Sequence, residues 1–170
     1  MMKKIYYKLT CIILTLFSFI VFLNFNSINS KAATNVSYEN STLISSKAKI
    51  QVLHDSQATY SVWANHKQIL IRYKFTNKSS KQVAPSDVWS KYFTATQKGH
   101  KLITGALAIN GSISSSDENA INNSVTPVNQ GDTVTAAAMY QINPGKGPVT
   151  VHVYNHKHGK QIGKFVINFQ

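Results

Sequence analysis

Ten residues, Gln68 to Asn77, constrain the fold of this chain more than any others: Ile69, Ile71, Tyr73 and Phe75 take every second position, with Arg72, Lys74 and Thr76 between them. A period of two puts the apolar set on one face of an extended strand and the polar set on the other. Such a strand is half-buried and needs a sheet around it. Other segments supply the partners. Ile50 and Val52 alternate in a first strand, and Tyr60 to Trp63 adds a short one. Tyr92 to Gln97 and His100 to Ile103 flank Lys98-Gly99, a hairpin tip in which glycine accepts positive φ. Val134, Ala136, Ala138 and Tyr140 share a face of Thr133 to Gln141, and small alanines there suggest a tightly approached strand. Val149, Val151 and Val153, then Phe165, Ile167 and Phe169, complete the pattern.

Turn chemistry separates these runs at Asn77 to Pro85, Val128 to Asp132 and Asn143 to Gly145. Asp87 to Trp89 reads as a bend or single helical turn with Asp87 as its cap, and Asn110 to Asn123 reads as a long, mobile surface loop. No long helical period is present. About seven strands with hairpin connections predict an all-β, immunoglobulin-like antiparallel β-sandwich. The cysteine pair that marks antibody domains is absent.

The runs Ile69 to Ser79, Ala84 to Trp89, Thr96 to Leu102, Val128 to Asp132 leading into Ala136 to Tyr140, and Pro148 to Tyr154 resemble the secreted immunoglobulin-like domains of unknown function of lactobacilli and related Gram-positive bacteria. The likeness covers residues 68 to 155, about half the chain. Its motifs specify strand and turn order, so the resemblance implies a fold and an extracellular setting and brings no catalytic residues. Two departures stand out: Asn129-Gln130-Gly131 replaces a Pro-Gly turn, and this chain is unusually basic.

The N-terminus carries an export pattern: Lys3, Lys4 and Lys8, a 13-residue apolar run from Cys11 to Leu23, then small residues at Ser30, Ala32 and Ala33. The run is short of the roughly 20 residues that cross a bilayer as a helix, which favours a cleaved signal with the cut after Ala32. The alternative is a retained anchor from Ile5 to Phe25, with Lys8 reaching the headgroups; only then is a membrane a direct partner. Cys11 begins the apolar run instead of following it, which disfavours lipid attachment. The expected organisation is a signal peptide at 1–32, a flexible lead-in at 33–46, rich in Ser, Asn and Thr, and a sandwich at 47–170.

Removing Lys3, Lys4, Lys8 and Lys31 from the chain's 18 basic residues leaves 14 against 6 acidic ones, a formal net charge of +8. All six histidines, His54, His66, His100, His152, His156 and His158, lie in the same part, so acidification adds positive charge. Outside a cell such a domain is drawn to polyanions, among them wall polymers and anionic headgroups. Nucleic acid is disfavoured: the lysines are scattered and Arg72 is the only arginine.

Three clusters are candidate sites. His152, His156 and His158, with Tyr154, are spaced by two residues, but 155–160 reads as a turn that would splay the imidazoles, and no cysteine or nearby acid completes a metal set. Trp63, Trp89, Tyr92 and Phe93 beside Lys91 could stack on carbohydrate; core packing is the favoured reading. The acids Glu39, Asp55, Asp87, Asp117, Glu118 and Asp132 sit mostly in apparent turns or loops, and no Gly-x-Ser-x-Gly elbow, His-Glu-x-x-His helix or phosphate loop occurs. The expectation is a secreted, non-catalytic module with no cofactor, metal or catalytic residue. Its partners are anionic cell-wall polymers or, alternatively, another surface protein met by strand edges or by the 110–123 segment.

Overall fold

The computed structural model describes residues 35–54, 58–63, 66–104, 113–143 and 145–168. The expected signal segment, Asp55, Asn110, Pro144 and Phe169 lie outside these residues, as does the side chain of Trp63. Ten strands form two antiparallel sheets among the described residues. β1 (Ser37–Glu39), β2 (Thr42–Ile44), β3 (Ala48–Val52), β4 (Ala58–Trp63), β5 (His66–Asn77) and β8 (Thr133–Ile142) make a six-stranded sheet. β10 (Gln161–Ile167), β9 (Val149–Tyr154), β6 (Phe93–Gln97) and β7 (His100–Lys101) make a four-stranded one in that order.

The long strand β5 organises the larger sheet. One of its edges pairs with β8 from Lys67 to Thr76, and the other is shared between β4 at His66–Leu70 and β3 at Tyr73–Asn77. Its alternation resolves as expected: Ile69, Ile71, Tyr73 and Phe75 are buried between the sheets, facing Phe93, Ala95, Val151 and Val153. Fully burying side chains of this size is worth roughly 1.5–3 kcal/mol each, so this two-layer core is the main stabilising term.

Three expectations are corrected. The 33–46 stretch is no flexible lead-in over its described part: it holds the β1–β2 hairpin, whose tip has positive φ at Asn40 and Ser41 and whose Leu43 is wholly buried. Val36 and Tyr38 pack against the same core as Leu43, so a few apolar side chains amid Ser, Asn and Thr anchor the hairpin. The expected 110–123 loop is instead, from Ser115 onward, part of α2 (Ser115–Val125), capped by Ser114, whose hydroxyl accepts from the Asp117 amide at 3.2 Å. This helix lays Ala120 and Ile121 on the outer face of the larger sheet, over Leu70, Ala137 and Met139. Asp87 is not a cap either. It lies in the first turn of α1 (Pro85–Tyr92), which starts at Pro85 after Ala84, so its carboxylate meets the helix dipole.

Three aromatic contacts tie the layers. Tyr38 meets Phe93 edge-on at 6.5 Å, and its ring lies so close to Gly163 that a Cβ there would approach Tyr38 Cδ1 to 2.3 Å. Trp89 stacks on Tyr73 at 4.5 Å and on Phe93 at 4.0 Å.

Candidate functional site

The outer face of the smaller sheet follows from its period of two. Phe93, Ala95 and Gln97 of β6 turn inward, leaving Thr94 and Thr96 outward, while β9 presents Thr150, His152 and Tyr154. Beside this polar surface lies a cleft of about 490 Å³. Lys91, at the last turn of α1, and Lys101 of β7 line it, facing Tyr154, His156, Lys157 and His158. No acidic side chain is among its described lining residues.

The β9–β10 turn sets the far wall. The Asn155 amide donates to Lys160 O at 3.0 Å and the Gly159 amide to His156 O at 2.9 Å, which leaves His156, Lys157 and His158 exposed. At Gly159 a Cβ would crowd Asn155 Oδ1 and the His156 ring, so a larger residue there would push these side chains aside. Opposite, Lys98 and Gly99 both have positive φ, the geometry of a tight hairpin turn that places Lys101 at the cleft.

The three histidines do not converge. His152 has both ring nitrogens engaged, Nε2 with Thr96 Oγ1 at 2.9 Å and Nδ1 with Gln161 Oε1 at 2.9 Å, whereas His156 and His158 belong to the turn. Among the described residues no group of three His, Cys, Asp or Glu side chains could hold a metal ion.

Of the aromatic cluster, Trp89 and Phe93 are core, and Tyr92 is half-buried at the cleft. The Trp89 indole N–H donates to the Tyr140 hydroxyl at 2.7 Å, whereas the buried Tyr73 hydroxyl has no hydrogen-bond partner. Burial pushes the Tyr140 phenol up to about 12 against the opposing effect of the indole donor. The Tyr73 phenol is raised further, first by burial and then by Tyr140 beside it.

Two of the acids are engaged elsewhere. Asp117 is buried and paired with Arg72, and its Oδ2 also accepts from the Ser114 hydroxyl at 3.0 Å; this is the one ion pair among the described residues. Asp132 accepts from the Asn129 amide group at 3.1 Å in the turn before β8. All thirteen lysines from Lys47 to Lys164 are exposed, and none of them is in an ion pair among the described residues. The surface therefore carries uncompensated positive charge, and the cleft gathers three of those lysines.

A second cavity, of about 380 Å³, was not foreseen from the sequence. It lies beside β8 between the two helices, with Trp89, Ala138 and Met139 on one side and Ile121, Ser124 and Val125 of α2 on the other. Ala137 and Ala138 of β8 line it with small side chains that take up little of the space. Ser90 of α1 borders both cavities.

A family model described as Domain of unknown function (DUF5067) matches residues 26–155. No curated protein matches the chain. Among solved structures, the chain is similar to one described as a "putative lipoprotein" from Staphylococcus aureus subsp. aureus NCTC 8325, at 18% identity and TM-score 0.64, over 79% of this chain and 92% of that one. It is also similar to a protein from Enterococcus faecalis at 14% identity and TM-score 0.62, over 84% of this chain and 100% of that one. A third is a β-sandwich protein from Clostridium difficile 630 at 12% identity and TM-score 0.50, over 78% and 92%. At these identities the likeness is one of fold.

Proposed function

The chain belongs to the DUF5067 family, a domain of unknown function, and from that premise we propose that it is a non-catalytic binding module of the Gram-positive cell envelope, held there by anionic wall polymers. The observation that carries this reading is the cleft where Lys91, Lys101 and Lys157 stand together with no acid among the described lining residues. Clustered cations in a partly enclosed groove focus the field and attract a polyanion more strongly than scattered surface charge. The tyrosines beside them, Tyr92 and Tyr154, offer flat apolar faces to the repeating units of such a polymer. The N-terminal export pattern and the Staphylococcus neighbour's description as a "putative lipoprotein" support the setting.

Isolated envelopes treated with protease before the binding assay test the choice of partner. Retention on protease-stripped walls, lost once the anionic polymers are removed, supports the proposal. Loss after protease alone points to a surface protein as the partner and contradicts it.

A further inference from the structure

We infer that the cavity beside β8 takes the aliphatic chain of a single-chain anionic amphiphile, with the charged head at Lys91. The head-group part rests on the proposed electrostatic reading of the cleft; the chain part does not.

Three observations converge. The cavity is lined mostly by apolar side chains, Trp89, Ala138, Met139, Ile121 and Val125 among them, and its volume of about 380 Å³ exceeds the roughly 150 Å³ that suffices to bind benzene. It is open to solvent on the side of α2 where Val125 stands 67% exposed, so a chain can enter without unfolding the core. Ser90 borders this cavity and the basic cleft alike, and its neighbour Lys91 lines the cleft. An apolar chamber adjoining a cationic one matches a molecule with an aliphatic tail and an anionic head. A neutral apolar ligand would leave the lysines unused, and a free anion would leave the chamber unused.

The probes are dodecyl phosphate below its micelle concentration, the neutral dodecyl maltoside, and inorganic phosphate, titrated calorimetrically against the protein recovered from the cells that make it. Dodecyl phosphate is expected to bind with one site, and inorganic phosphate not to displace it. Ala138→Leu, which fills the chamber, and Val125→Asp, which puts a carboxylate at its exposed mouth, should each weaken dodecyl phosphate about tenfold or more. Lys91→Gln should weaken dodecyl phosphate and leave dodecyl maltoside unchanged. Wild-type affinity in both chamber variants, with near-ultraviolet circular dichroism intact, overturns the inference, as does full displacement by inorganic phosphate. Wall retention of the chamber variants separates the two readings: if they stay on walls while chamber filling leaves amphiphile affinity untouched, only the inference fails, and if wild-type protein leaves the walls, the envelope reading fails.

Discussion

Trp89 Nε1 donates a 2.7 Å hydrogen bond to the hydroxyl of Tyr140, joining α1 to the edge strand β8 through the centre of the core. The neighbouring Tyr73 stacks on the same indole, yet its own buried hydroxyl has no partner. Two tyrosines on adjacent strands thus differ in what their oxygens contribute.

Removing the oxygens separately should reveal that difference. Tyr140→Phe strands a buried indole N–H and should cost about 1–3 kcal/mol, whereas Tyr73→Phe deletes an unsatisfied group and should be neutral or stabilising. Urea denaturation of both variants checks this; equal losses would mean that the two hydroxyls are equivalent.

The same phenols predict alkaline instability. An unfolded tyrosine ionises near pH 10, while Tyr140 in the fold does so at about 12 and Tyr73 higher still. The folded state holds these protons more tightly, so the stabilisation is complete below about pH 10 and is lost as pH rises through the folded values. At pH 12 Tyr140 alone should account for about 2–3 kcal/mol of lost stability. Comparing wild type with Tyr140→Phe from about pH 9 to 12 tests it: the variant's stability should fall less steeply.

The ion pair between Arg72 and Asp117 pins α2 to the outer face of β5. Asp117 is buried while the Arg72 side chain is 20% exposed, so solvent relieves part of the cost when the pair is broken. Asp117→Asn should destabilise by about 2–3 kcal/mol, less than a fully buried pair would lose. Hydrogen exchange should show faster opening at 115–125 than in the β5 ladder; uniform change across the domain would contradict this local role.

Gly163 is the point where β10 accommodates the Tyr38 ring. Gly163→Ala should displace that ring from Phe93 and cost about 1–3 kcal/mol, and the double variant Gly163→Ala with Tyr38→Leu should recover part of it. No recovery would show that the cost arises in the backbone of β10.

Most strands were legible because one side of each faces the core, and a period of two survives in β5, β6 and β9. The helices were not. α1 spans only Pro85–Tyr92, too short for a helical period to stand out, and α2 presents Ala120 and Ile121 within an otherwise polar Ser, Asp and Asn sequence. A signal for α2 did exist in β8: Ala137 and Met139 sit on the face that should have been polar, and Leu70 does the same in β5, which betrays a covering element. The cleft was only half legible. Lys91 and the His156–His158 turn drew attention separately, but the β6–β9 pairing and the Lys98-Gly99 turn bring Lys101 and Lys157 to one groove from positions 56 residues apart.

The central claim is that this groove, and not diffuse positive charge, holds the protein at the envelope. Its most direct test compares two triple variants of equal net charge on isolated cell walls across a salt series: Lys91, Lys101 and Lys157 changed to Gln, and the exposed Lys49, Lys67 and Lys74 of the larger sheet changed to Gln. The first triple should weaken binding about tenfold or more and flatten its salt dependence, while the second should stay within about threefold of wild type. Equal losses in the two triples would contradict it.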